Sequence, residues 1–190
     1  MNNSSYSRFL LELIDASELN LDQIVTKIVD CMSQRNSIWI MGNGGSASTA
    51  EHFETDLSFV RLGDLLSKIK VSALTANSSL ITAIGNDIGF ENIFSHQLMR
   101  KAEKGDLCIF ISASGNSKNL VNAVKISKKL ELGTIGILGF DGGELAGMVD
   151  FPIVVRTENG KYGPVEDFHL AICHELSALI AETLLKEGSL

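Results

Sequence analysis

Two pairs of side chains in this sequence have the types and the spacing for acid–base or metal chemistry. His52 and Asp56 are four residues apart, which places both on one face of a helix. Glu166 and His174 are eight residues apart, about 80° around a helix axis, so both can face one site. His169 is about 140° from His174 and is less suited to join them. Two imidazoles and two carboxylates can hold a divalent metal such as zinc, or can form an acid–base set.

The same pairs also have a plainer explanation, because histidines beside carboxylates on helices are often only hydrogen-bonded surface or core pairs.

Two loops of small residues favour a functional site. The loop Gly42–Ser46 (GNGGS) follows an apolar run over 38–41, and the loop Ser112–Ser117 (SASGNS) follows one over 106–111. Each pattern predicts a buried strand, a tight turn and the start of a helix, with Ser46 as the N-cap of the first helix.

Loops of this kind can bind anions, because backbone N–H groups and the positive end of the helix dipole face the ligand. The SASGNS loop adds three short hydroxyls, on Ser112, Ser114 and Ser117, which suit a phosphate without an arginine. Neither loop has the pattern of a P-loop or a dinucleotide-binding turn, so those nucleotides are not favoured as ligands. Serines also cap helices, and glycines form tight turns, where no ligand binds, so the loops alone leave both interpretations open.

An alternating series of strands and helices must position these groups. Apolar runs predict strands over 38–41, 69–74, 106–111, 134–138 and 151–155. Helical spacing predicts helices over 6–16, 21–32, 79–87, 91–101, 118–130, 144–148 and 165–186, and one that begins at 46. Continuous apolar strands that alternate with helices predict a parallel sheet covered on both faces. Loops at the carboxyl ends of such strands line the ligand crevice, so the two loops should meet over one site.

Length, charge and cysteine usage limit the classes of protein that fit. The 190 residues suit one domain, 1–190, and the net charge of −7 argues against nucleic acid as a main partner. Cys31, Cys108 and Cys173 stand singly in apolar surroundings, as reduced core residues do. We see no apolar signal region and no stretch of membrane-spanning length, so we expect a cytoplasmic protein without a membrane partner. The N-terminal helices, about 4–34, are expected to pack in an oligomer or on the sheet.

Five motifs occur in one order along the chain: MGNGGS followed by His52-Phe53, GND followed by GF, ISASGNS, DGG followed by LAG, and EDFH. Together they resemble the sugar isomerase (SIS) domain and, within it, the phosphoheptose isomerases, over nearly the whole chain. The resemblance implies a flavodoxin-like, doubly wound sheet of five parallel strands with helices on both faces. It also implies a homotetramer with active sites at subunit interfaces, and often a zinc ion.

The activity that the resemblance implies is aldose–ketose isomerisation of a phosphosugar, sedoheptulose 7-phosphate to D-glycero-D-manno-heptose 7-phosphate, at the start of heptose synthesis for lipopolysaccharide or capsule. It also implies a role for individual residues. The expected substrate-binding residues are Asn43, Gly44, Ser46, Asp87, Ser112, Ser114 and Ser117. The expected metal ligands are His52, Asp56, Glu166 and His174, and Asp56 and His174 are also the expected catalytic residues.

Several positions depart from the family pattern. Asp56 stands where the family has a catalytic glutamate and Glu166 where it has a glutamine ligand; further differences are Ala113 for threonine, Gly163 for aspartate and Val60, followed by Arg61, for arginine. An acid–base group displaced by about 1 Å can lose on the order of a hundredfold in rate. Two anionic oxygen ligands, in contrast, favour a hard cation. The alternatives are therefore a noncatalytic SIS module that binds a phosphosugar or a protein, or an isomerase for a different surface-polysaccharide phosphosugar.

Overall fold

A five-stranded parallel sheet is the centre of the computed structural model, which describes residues 21–60 and 69–186. The strands are β1 (Ser37–Gly42), β2 (Lys70–Ala73), β3 (Leu107–Ser112), β4 (Gly133–Gly139) and β5 (Phe151–Val155). Their order in the sheet is β2-β1-β3-β4-β5, and all neighbouring strands are parallel. This order confirms the predicted flavodoxin-like sheet.

Helices cover both faces of the sheet. Strand β3 shows why: Leu107, Ile109 and Ile111 join one apolar cluster, and Cys108 and Phe110 join the other. The helices are α1 (Asp22–Ser33), α2 (Gly45–Phe59), α3 (Ser78–Asp87), α4 (Ser95–Lys101), α5 (Lys118–Lys129), α6 (Gly143–Ala146) and α7 (Tyr162–Lys186). The first cluster takes side chains from α1, α2 and α7, and the second from α3, α4, α5 and α6.

The structure differs from two of the helix predictions, one in where a helix starts and one in its continuity. Ser46 is not an N-cap: α2 begins at Gly45, and Ser46 is buried in its first turn. Gly44 precedes the helix with φ of 56°, a left-handed conformation that glycine adopts without strain, so the turn closes one residue earlier than predicted. The single helix predicted over 91–101 is instead a 3₁₀ turn at Phe90–Asn92 followed by α4. The chain turns between them and buries both Ile93 and Phe94.

The N-terminal helices divide between the described and undescribed parts of the chain. Helix α1 corresponds to the helix predicted over 21–32, and it buries Ile24, Val25, Ile28 and Val29 in the cluster shared with α7. It therefore packs within its own subunit. The helix predicted over 6–16 lies outside the described residues, and its packing in an oligomer stays a prediction.

By length and composition, helix α7 could cross a membrane, with a mean hydropathy of 1.3. The expectation that no stretch of the chain reaches membrane-spanning length is therefore wrong. Its residues Val165, Phe168, Ile172 and Leu176 are buried, and it packs against α2 and against the sheet. The core helix of a globular domain can have the same composition, because such a helix is apolar around much of its circumference.

His169 on α7 is fully buried, and neither of its ring nitrogens reaches hydrogen-bond geometry with a described residue. Burial lowers the pKa of His169 to about 4, while a weaker interaction with the Leu138 backbone acts in the opposite direction. The unfolded chain, with an ordinary histidine pKa near 6.5, binds the proton first as the pH falls. The stability that neutral His169 contributes is therefore complete above about pH 6.5 and is lost between about pH 6.5 and 4.

We expect this titration to be measurable in the free energy of unfolding. Between pH 7 and pH 4.5, the native protein should lose about 2 kcal/mol more than the His169→Leu variant, which has no proton to bind at this position. Urea unfolding of both proteins at the two pH values measures the difference, and the other titrating groups cancel in it. Equal losses in the two proteins would contradict the assignment.

Candidate active site

Helices α2 and α7 bring three of the predicted site residues together. The two helices run side by side in the same direction, because each follows a strand of one parallel sheet. The Nε2 atoms of His52 and His174 are 3.0 Å apart. Oδ1 of Asp56 is 3.5 Å from Nε2 of His52, and Oδ2 of Asp56 is 3.7 Å from Nε2 of His174. The imidazole rings meet edge to face, with centroids 4.9 Å apart.

These separations fit a divalent metal. Four ligands at 2.0–2.1 Å around a tetrahedral ion stand about 3.3 Å from one another, close to the distances among the three side chains. One ligand atom from each of His52, Asp56 and His174 can be chosen so that all lie within 4.8 Å of one another. Oδ2 of Asp56 is buried and has no hydrogen-bond partner among the described residues. A bound cation would supply the partner that a buried polar atom requires. Three protein ligands would leave one position for substrate, as in catalytic zinc sites.

The group formed by His52, Asp56 and His174 is accessible from solvent. The side chains of His52 and His174 are 47% and 53% exposed, whereas Asp56 between them is 23% exposed. A carboxylate shielded from water attracts a cation or an imidazolium more strongly than an exposed one does. The group can therefore combine a well-held anionic ligand with two imidazoles that a substrate can reach.

Glu166 lies away from this group. Its carboxylate is packed over Gly45, where a Cβ would stand 2.5 Å from Cδ of Glu166. Eight residues separate Glu166 from His174, and at 1.5 Å per residue this amounts to about 12 Å along the α7 axis. The two residues share a face of α7 but not a level along it. The role of Glu166 as a fourth metal ligand stays a prediction.

The SASGNS loop forms a closed turn between β3 and α5. The Ser112 hydroxyl oxygen accepts a hydrogen bond from the Gly115 N–H at 3.0 Å, and the Ser114 oxygen accepts one from the Asn116 N–H at 3.3 Å. Ser117 directly precedes α5, and its side chain makes no capping hydrogen bond. All three hydroxyls keep their own hydrogens for donation to a ligand. Ser112 is buried, whereas Ser114 and Ser117 are partly exposed, so the latter two are the accessible hydroxyl donors beside the N-terminus of α5.

The two loops are linked by a pair of amides. Asn43 Nδ2 donates to Asn119 Oδ1 at 3.0 Å, and Asn119 Nδ2 donates to Asn43 Oδ1 at 2.8 Å. Asn119 lies in the first turn of α5 and is buried. Asn119 was not among the predicted site residues, although its polar amide next to the apolar Leu120 and Val121 was a signal in the sequence. The pair holds the GNGGS loop beside the SASGNS loop, as expected for the ends of the neighbouring strands β1 and β3.

The remaining predicted residues occupy different settings. Gly44 is exposed at the tip of its loop, and Ser46 is buried beneath it. Asp87 is exposed at the end of α3, where it accepts a hydrogen bond from Asn86 at 2.7 Å. Ala113 is buried in a small cluster with Phe140 and Val165, so its methyl group packs inward.

Comparison with known proteins agrees with this architecture. The family model described as "SIS domain" matches residues 3–139. A phosphoheptose isomerase from Geotalea daltonii is 39% identical over 168 residues, covering 86% of this chain and 84% of that protein. One from Aliarcobacter butzleri is 33% identical over 180 residues, covering 95% and 94%. The structure of a phosphoheptose isomerase from Francisella tularensis superposes with a TM-score of 0.81 at 28% identity, covering 94% of each chain. The chain therefore belongs to the phosphoheptose isomerase family of SIS-domain proteins.

Proposed function

We propose that the protein is an aldose–ketose isomerase that converts sedoheptulose 7-phosphate to D-glycero-D-manno-heptose 7-phosphate with a bound divalent metal, most simply zinc. One observation carries the proposal: His52, Asp56 and His174 meet within 3.0–3.7 Å in a chain that is 39% identical to a phosphoheptose isomerase. A three-residue group of this kind is what a catalytic zinc requires.

Binding of the phosphate would fall to the SASGNS loop. The hydroxyls of Ser112, Ser114 and Ser117 donate to phosphate oxygens, and the N-terminus of α5 favours the negative charge. Asn43, Gly44 and Ser46 would contact the sugar from the neighbouring loop, and Asp87 would contact the substrate or its loop. These contacts lie away from the reacting carbons, so their binding energy serves to orient those carbons.

Isomerisation moves one proton between adjacent carbons through an enediol. A base removes the proton from the carbon next to the carbonyl and returns it to the former carbonyl carbon, while protons are exchanged on the two oxygens. Asp56 and His174 would carry this acid–base work. A divalent metal held by His52, Asp56 and His174 would supply Lewis-acid stabilisation of the negative charge on the two oxygens.

Two further elements belong to the proposal. A homotetramer would place active sites at subunit interfaces.

A cytoplasmic location would suit the three buried thiols. Burial raises the pKa values of the Cys31 and Cys108 thiols to about 12, and it raises that of Cys173 as well. Thiols with such pKa values are poor nucleophiles and remain as core side chains.

The test is an assay of the purified protein on sedoheptulose 7-phosphate, after treatment with a chelator and after addition of Zn²⁺. We expect turnover that the chelator abolishes and Zn²⁺ restores. Without the metal, the negative charge of the enediolate would lose its main stabilising group. Metal content measured on the same samples should fall and rise with the rate. Absence of turnover on any six- or seven-carbon phosphosugar would favour the noncatalytic module. Turnover confined to another phosphosugar would favour the surface-polysaccharide alternative.

A further inference from the structure

The side chain of Asn43 stands in a run of glycines. Gly42 precedes it, and Gly44 and Gly45 follow it, so the backbone around it has more conformational freedom than other residues would allow. Asn43 itself is half-buried. Among the described residues, both hydrogen bonds of its side chain go to Asn119, at 3.0 and 2.8 Å. The direction in which the Asn43 amide points therefore depends on Asn119.

Asn119 is the firmly held member of this pair. It is the second residue of α5 and is 2% exposed. Leu120 and Val121 follow it on the helix, and both are buried in the core. A side chain enclosed in this way cannot turn its amide toward water without disrupting the packing around it. Because Ser117 immediately precedes α5, Asn119 also connects Asn43 to the helix end that is proposed to bind the phosphate.

The pair leaves part of the Asn43 amide available to a ligand. An asparagine amide has two N–H donors and an oxygen with two lone pairs. The pair uses one N–H and one lone pair of Asn43, so one of each remains. A sugar hydroxyl is both a donor and an acceptor, and it can pair with either of the two remaining groups.

We propose that Asn119 is a positioning residue for the substrate. It holds Asn43 at a fixed distance from the N-terminus of α5. The remaining N–H or lone pair of Asn43 then meets a hydroxyl of a sugar whose phosphate lies at that helix end. The inference rests on the proposed isomerase function and adds a residue that acts only through Asn43. A binding group that is held in place before the substrate arrives loses little conformational entropy on binding, which strengthens the complex.

The variant Asn119→Leu tests this role. Leucine is close to asparagine in size and forms helices well, so α5 should keep its packing. Without its partner, the half-buried Asn43 amide would turn to water. We expect KM for sedoheptulose 7-phosphate to rise about tenfold, with kcat within about twofold of the native value. Inorganic phosphate, used as a competitive inhibitor, should keep its inhibition constant within about twofold, because the SASGNS hydroxyls are unchanged.

Two further variants show whether Asn119 acts through Asn43. Asn43→Ala removes the contacting amide, so adding Asn119→Leu to it should change KM by less than about twofold. Asn122→Leu, three residues farther along α5, is the matched control. The Asn122 amide donates to the Glu91 carbonyl at 3.0 Å, outside both loops, so this variant should keep the native KM.

Three results would overturn the inference. A native KM in Asn119→Leu would leave Asn119 without a role in substrate binding. An equal rise in KM and in the inhibition constant of phosphate would make Asn119 a support of the whole SASGNS loop. Effects of Asn119→Leu and Asn43→Ala that multiply in the double variant would mean that Asn119 does not act through Asn43.

The proposed function fails first if the native protein does not turn over sedoheptulose 7-phosphate. Calorimetric binding of that phosphosugar to the native protein and to Asn119→Leu then decides. Binding that is about tenfold weaker in the variant would support the role of Asn119. Equal affinities, or no binding by the native protein, would overturn it.

Discussion

Replacing Asp56 with asparagine is expected to lower kcat/KM for sedoheptulose 7-phosphate by about a thousandfold. Asparagine keeps the size of the side chain but removes the charge that lies within 3.7 Å of both imidazoles. The proposed mechanism loses an acid–base group and an anionic metal ligand in one step. Zn²⁺ affinity, measured by titration without substrate, should fall together with the rate.

Two companion variants separate this effect from damage to the fold. Asp56→Glu keeps the carboxylate on a side chain one methylene longer, so it should bind Zn²⁺ and retain turnover. Glu51→Gln changes an exposed carboxylate on the same helix and should leave the rate unchanged. Near-native turnover in Asp56→Asn would remove Asp56 from the mechanism and would favour a base elsewhere in the site.

Replacing Gly115 with alanine is expected to distort the SASGNS loop and to weaken binding of the substrate. Gly115 has φ of 64°, which alanine adopts at a cost of about 1 kcal/mol. Its Cβ would overlap the carbonyl oxygen of Gly142 and lie 2.6 Å from the carbonyl carbon. Backbone cannot move away as a flexible side chain can, so either this turn or the turn before α6 must shift. We expect KM to rise by about a hundredfold.

The loop contacts suggest how to measure this change. The Gly115 carbonyl accepts a hydrogen bond from the Leu145 N–H at 3.0 Å, and the Asn116 side chain accepts one from the Glu144 N–H at 2.9 Å. A shift at Gly115 should therefore loosen both turns and lower the Tm by several degrees. Zn²⁺ affinity should be retained, because His52, Asp56 and His174, the proposed metal ligands, lie on α2 and α7. A variant with native KM would mean that the phosphate binds elsewhere.

The sheet was predictable because its strands carry a direct signal. Each predicted strand overlaps an observed one, and the strand predicted over 151–155 has the bounds of β5. The continuous apolar runs also predicted that helices cover both faces of the sheet, because alternate residues of β3 pack into two separate cores. The start of α2 was less predictable, because it depends on the left-handed conformation of Gly44 and not on a capping side chain.

The sequence predicts the angles of the site residues around the axis of α7 but not their positions along that axis. Angles around a helix predicted that Glu166 and His174 share one face of α7. The rise along the helix axis, about 12 Å over eight residues, was the quantity that the angular argument omitted. The Asn43–Asn119 pair was missed for another reason. A reciprocal amide pair depends on the distance between two loops, which only the register of β1 and β3 defines.

The distance of 122 positions between His52 and His174 has a consequence for the biogenesis of the protein. Chains emerge from the ribosome with the N-terminus first, so both loops are made long before the last imidazole arrives. A nascent chain without α7 carries only two of the three residues His52, Asp56 and His174. A metal bound by all three would therefore be taken up only after α7 has been made, and it would then hold this last helix in place.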